Sequence, residues 1–154
     1  MTLRAEPLWY KLPKPGQNRT ACEGFLASRS EIISDLQAGD GQWLMGFGRQ
    51  NGQFACVDAQ TGKPRWEVPV EATCSDTITC DIDGNGRQEF IFGTSPGAFY
   101  AAGEHEGQPR VLWRYDLPAG SGSPIAVDLD GDSKSEIAVP TADGHVLVLA
   151  APNR

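Results

Sequence analysis

A chain of 154 residues is the length of one compact unit. Its formal net charge of −7 works against a partner held through a nucleic-acid phosphate backbone. The 18 glycines and 11 prolines suit a turn-dense all-β chain, and no apolar stretch approaches the roughly 20 residues of a membrane span.

In chain order, the opening residues Met1 to Pro7 lack the apolar core of a secretory leader. The first predicted element is a short strand, Leu8-Trp9-Tyr10-Lys11-Leu12-Pro13. A connector follows that contains Cys22, Phe25 and Arg29, and between Trp9 and Asp35 it is 11 residues longer than its later counterparts. Next come three units of one pattern. Ile32-Ile-Ser34-Asp35-Leu36, Ile78-Thr-Cys80-Asp81-Ile82 and Ile125-Ala-Val127-Asp128-Leu129 are alternating runs, each meeting an aspartate, as half-buried strands entering a loop do. Second strands are predicted at Leu44 to Phe47, Phe90 to Gly93 and Ile137 to Val139. Turn dipeptides Asn51-Gly52, Pro96-Gly97 and Asp143-Gly144 lead to third strands at Phe54 to Val57, Phe99 to Ala102 and Val146 to Leu149. The first two units end in a fourth strand carrying a tryptophan, Trp66 or Trp113.

Four short antiparallel strands per repeat of 46 or 47 residues fit a β-propeller blade. The expected fold is therefore all-β, with three blades per chain in one propeller unit, 1–154. Residues 1–19 supply a strand and connector, 20–72 blade one, 73–119 blade two, and 120–154 a third blade lacking its outer strand. The Leu8-Trp9 strand resembles Leu112-Trp113-Arg-Tyr115, so it can finish a third blade. Two copies placed head to tail would then close a six-bladed ring, a homo-oligomer without open edges. The alternative is a piece of a larger propeller, or a ring completed by a different partner chain.

The segments Asp81-Ile-Asp83-Gly-Asn85-Gly-Arg87-Gln-Glu89 and Asp128-Leu-Asp130-Gly-Asp132-Ser-Lys134-Ser-Glu136 stand 47 positions apart and hold seven of the 20 acidic residues. Oxygen-bearing side chains at alternate positions suit a hard cation such as Ca²⁺, which takes about six to eight oxygens. The expected ligands are Asp81, Asp83, Asn85, the Arg87 carbonyl and Glu89, then Asp128, Asp130, Asp132, the Lys134 carbonyl and Glu136. One or two calcium ions per chain follow. Neither loop is an EF-hand, because loop position 12 falls on Phe92 and Val139. Asx-turns that merely shape a hairpin are the alternative. In unit one Gln37 and Ala38 replace the second aspartate and glycine, and Trp43 stands where the last acid should be, so no metal is expected there.

Cys56 and Cys80 occupy places where unit three has Val148 and Val127, and are read as small buried hydrophobes. A Cys22–Cys74 bridge is conceivable, and no zinc spacing occurs. His105 and His145 are read as solvated loop residues without a nucleophile at useful spacing, and no phosphate loop or hydrolase elbow is found.

The Asp-x-Asp-Gly-Asn/Asp-x-x-x-Glu loops, followed by Phe90-Ile-Phe-Gly93 or Ile137-Ala-Val139, resemble the FG-GAP or VCBS-type repeats of integrin α-subunit propellers. Asp58-Ala-Gln-Thr61-Gly62-Lys-Pro-Arg-Trp66 looks like the blade signature of quinoprotein (PQQ-type) propellers. The first resemblance implies Ca²⁺ within a blade and an extracellular or periplasmic setting. It departs where unit one lacks the acids and Ser133 replaces the second glycine of the loop. The expected function is a non-catalytic calcium-binding propeller module for protein or glycan binding and assembly. The alternative is part of a PQQ-type dehydrogenase or a polysaccharide lyase.

Overall fold

The computed structural model describes residues 32–34, 43–49, 52–70, 74–94, 97–117, 120–132 and 134–150. The Trp9 strand, Cys22 with its proposed bridge to Cys74, and the loop from Asp35 to Gln42 lie outside the described residues. Those described contain eleven strands and no helix. They are β1 (Ile32–Ser34), β2 (Leu44–Arg49), β3 (Gln53–Asp58), β4 (Pro64–Pro69), β5 (Cys74–Cys80), β6 (Glu89–Thr94), β7 (Ala98–His105), β8 (Gln108–Asp116), β9 (Ile125–Val127), β10 (Glu136–Pro140) and β11 (Val146–Leu149). They form two four-stranded sheets, β1-β2-β3-β4 and β5-β6-β7-β8, and one three-stranded sheet, β9-β10-β11, all antiparallel between neighbours in sequence.

The three sheets share one register. Cys80 pairs with Glu89 and Val127 with Glu136, and in the first sheet Ser34 pairs with Leu44. The last acid is therefore replaced by Leu44, not by Trp43: the first loop is one residue longer, and counting positions from Asp35 misplaces its end. Leu44 is buried and Trp43 is exposed, as that register requires.

Both complete sheets carry the same irregularity in the outer strand. Cys56 pairs with Trp66 but Val57 pairs with Pro64, so Arg65 is an extra residue. Ala101 pairs with Trp113 but Ala102 pairs with Val111, so Leu112 is extra. Such a bulge interrupts the two-residue alternation. It sends Val111 to one core and both Leu112 and Trp113 to the other.

The cores lie between sheets. Phe54, Cys56, Trp66 and Val68 of the first sheet meet Phe90, Phe92, Tyr100 and Ala102 of the second. Phe92 stacks on Phe54, with centroids 4.1 Å apart, and its other neighbour Tyr100 lies 5.6 Å away and near-parallel. Gly46 makes this approach possible: a Cβ there would fall 2.5 Å from the Phe90 ring. The second sheet's opposite face, with Ile91, Phe99 and Ala101, meets Ile137 and Val139 of the third. Met45, Phe47, Ala55 and Val57 form a further buried cluster in the first sheet. The third sheet's remaining side is open. Ile125 and Val146 are 60% and 68% exposed, and Val148 and Leu129 are exposed as well.

Candidate metal-binding loops

Each acidic loop leaves the first strand of its sheet, at one edge, and returns at the next. In the first, Gly84 and Gly86 take positive φ of 72° and 82°, a region open to glycine at no steric cost. That curl lets Asp81 Oδ1 accept from the Asn85 N–H at 3.0 Å and Oδ2 from the Gly86 N–H at 2.7 Å. Asp83 Oδ1 accepts from the Asn85 N–H at 3.1 Å, and Asn85 Oδ1 accepts from the Arg87 N–H at 2.7 Å. The second loop repeats the scheme with Gly131 at φ 81°. Asp128 Oδ1 accepts from the Gly131 N–H at 2.7 Å, Asp130 Oδ1 from the Asp132 N–H at 3.1 Å, and Asp132 Oδ1 from the Lys134 N–H at 2.8 Å. The Asx-turn role is therefore real, and it uses some of the carboxylate lone pairs while leaving others.

The closing glutamates do something a turn does not require. Glu89 is 2% exposed and Glu136 8% exposed, each at the start of a strand that runs into the core. Glu89 Oε2 accepts from the Ile82 N–H at 3.1 Å, and Glu136 Oε2 from the Leu129 N–H at 2.8 Å. Gly103 keeps room for the first of them, since a Cβ there would stand 3.1 Å from Glu89 Cγ. Burial pushes the Glu89 carboxyl up to about 7, with Asp83 and Asp81 adding to the rise and the Ile82 N–H opposing it.

Carboxylate oxygens of Asp81, Asp83 and Glu89 lie within 4.8 Å of one another, and so do those of Asp128, Asp130 and Glu136. Six of the ten expected ligands are thus brought together as two matching trios. Asp132 stands outside the second trio, its Oδ2 3.7 Å from Lys134 Nζ. Asn85 uses its amide oxygen on Arg87.

The other singled-out residues have structural placements. Asp58 Oδ1 receives the N–H groups of Gln60 and Thr61 and the Thr61 hydroxyl, which hold its carboxyl below the usual range. The segment from Asp58 to Trp66 is therefore a pinned hairpin turn running into β4. Asp143 likewise accepts from Thr141 and faces His145 Nδ1 at 3.2 Å. Cys56 and Cys80 are free and buried, and burial pushes each thiol up to about 12.

A feature that position counting missed lies between β8 and β11. A cleft of about 570 Å³ opens there, with Leu112, Trp113 and Leu149 on its walls and Arg110, Arg114 and Lys134 around them. The signal in the sequence was the adjacent pair Leu112-Trp113, two bulky apolar residues in a strand that otherwise alternates.

No protein-family model matches the chain, and no curated protein matches it. Solved structures do. The chain is similar to BBS1N in complex with ARL6DN from a mercury-soaked crystal, with a TM-score of 0.58 and 13% identity over 79% of this chain and 37% of that one. A lead-soaked crystal of the same complex gives 0.57 and 12% over 77% and 35%. BamB from Moraxella catarrhalis gives 0.55 and 19% over 73% and 32%. The fold is that of β-propeller blades. The three sheets are three such blades, and the chain spans about a third of the length of the solved chains it matches. At these identities the likeness concerns fold alone.

Proposed function

We propose that this chain is a non-catalytic propeller module that docks a protein partner, with calcium bracing blades two and three at their acidic loops. The observation that carries the calcium reading is the twin carboxylate trio, each with one member driven into the core. A buried carboxylate beside two others is costly unless a cation offsets it. The donor set is all oxygen, with no thiol or imidazole in either trio, which favours a hard cation over zinc or copper. Asp81, Asp83 and Glu89 would hold one ion, and Asp128, Asp130 and Glu136 the other, with the Arg87 and Lys134 carbonyls and the Asn85 and Asp132 side chains completing the shells. Such an ion supplies no chemistry beyond charge and cross-linking of loop to strand.

Docking is supported by the open side of blade three and by the neighbour BBS1N, solved in complex with ARL6DN. Protein is favoured over glycan because that side is apolar rather than lined with hydroxyls and amides. A closed six-bladed homodimer would need blade one's far face to accept the partner copy's blade three. Met45 and Phe47 on blade one are already buried, so a second copy would find no open apolar face there. The non-catalytic reading is supported by the turn from Thr141 to His145, where Asp143 takes the Thr141 hydroxyl and faces an exposed His145 as a turn-pinning group. Calcium loops of modest charge suit a calcium-rich extracellular or periplasmic setting.

Calcium titration followed by melting temperature tests the reading. Binding at a hundredfold excess over Kd should stabilise by about 2.7 kcal/mol per site. An identical melting temperature in EDTA and in millimolar calcium would remove calcium from it. Solution mass tests the assembly: a species at twice 16.6 kDa would restore the homodimer.

A further inference from the structure

We infer that the cleft between β8 and β11 is a strand-docking groove for an acidic peptide segment of a partner protein, which adds to blade three as its outer strand. This rests on the docking reading above, and the groove shares Asp83 and Lys134 with the two acidic loops. Among the described strands β11 pairs only with β10, and its other edge is the one that β8 occupies on β7 in blade two, where a strand adds through backbone donors and acceptors. Blade two supplies the template. Its β6–β7 pairs Phe90 with Ala102 and Ile91 with Ala101, and β10–β11 pairs Ile137 with Leu149 and Ala138 with Val148. Leu149 thus stands where Ala102 does, and Val148 where Ala101 does. Ala102 is paired with Val111, whose side chain packs toward the preceding blade. A guest residue opposite Leu149 is therefore projected toward blade two, into the space walled by Leu112, Trp113 and Leu149 itself, and an apolar side chain fits it.

Charge selects the rest of the guest. The chain is acidic, at −7, yet Arg110, Arg114 and Lys134 gather at this cleft against a single lining carboxylate, Asp83. Arg114 is held by Asp116 at 2.8 Å, and Lys134 only loosely by Asp132. Arg110 pairs in β8 with Gly103, one step beyond Ala102, which places it past the Leu149 level where the guest strand enters. The guest is accordingly a strand with an acidic residue two positions before its apolar anchor, the acid meeting Arg110 and Lys134. A strand with basic residues in that place is repelled.

The test uses the full chain and three ten-residue capped peptides: one with a glutamate two positions before a central leucine, one with lysine in that place, and one like the first but N-methylated at alternate backbone amides. Binding is read by isothermal titration with and without calcium. The acidic peptide should bind at least tenfold more tightly than the other two, and Arg110→Glu should reverse the preference between glutamate and lysine. Equal binding of the acidic and lysine peptides, no loss on N-methylation, or no heat at millimolar peptide overturns the proposal. So does a second copy as occupant, seen as a doubled solution mass that the acidic peptide does not reduce. Peptide binding that survives EDTA while the calcium melting shift is absent would reject the metal loops and leave the groove standing, so the two failures separate.

Discussion

Glu89 carries a carboxylate into a place that is 2% exposed, and the direction of its pH response follows. Its folded-state value, raised from 4.5 to about 7, means the native state holds the proton more tightly than the unfolded chain. Stability of the metal-free protein should therefore fall as pH rises from about 4.5 to about 7, by an amount on the order of 3 kcal/mol. Urea denaturation in EDTA across that range measures it, and Glu89→Gln should flatten the profile while keeping an oxygen for the Ile82 N–H. The same variant should also shrink the calcium-induced rise in melting temperature, and a full-sized rise would clear Glu89 of ligand duty. Gly46 is the other residue whose role is set by a single distance. Gly46→Ala should cost about 1–3 kcal/mol, because the new methyl meets the Phe90 ring. Trimming that ring with Phe90→Leu should recover part of the loss in the double variant. Glu89 was legible as an oxygen donor from its place in the loop. Its burial was not, because burial depends on the absence of a side chain at Gly103, in a different strand.

At the level of strands, order and pairing were legible because alternation, turn dipeptides and a 47-residue repeat all point to one register. The outer-strand bulge was not, since the extra residues Arg65 and Leu112 share no side-chain character and are marked only by where their neighbours pair. The bulge aims each tryptophan at the core beyond its own sheet. Trp66 meets the Phe90 ring edge-on at 6.0 Å, and Trp113 packs with Leu149 and the Ile137 cluster. Deleting Leu112 would return β8 to strict alternation and leave Trp113 alone facing blade three. The aromatic column through Phe92 is the matching tie between blades one and two. Phe92→Ala should cost about 3–5 kcal/mol by denaturant unfolding, the range for a fully buried ring. A loss below about 1 kcal/mol would mean the two sheets do not rely on that column.

Across the whole molecule, each blade packs on its sequence neighbours, so stability resembles a sum of blade and interface terms along a line. Blade two is sandwiched, while blade three keeps Ile125, Leu129, Val146 and Val148 toward solvent. The repeat alone could not reveal this inequality, because it marks which strands each unit has and says nothing of which faces find cover. Unfolding should therefore begin at one terminus of the array. Amide hydrogen exchange is expected to run fastest in β9 to β11 and slowest in β6 and β7. With calcium in both loops, as proposed above, the ion on Asp128, Asp130 and Glu136 would ride on the fraying blade and leave before its twin on dilution. The molecule would then lose its ions in a fixed sequence, and its ability to hold a guest strand would vanish while two-thirds of the sheet structure was still intact.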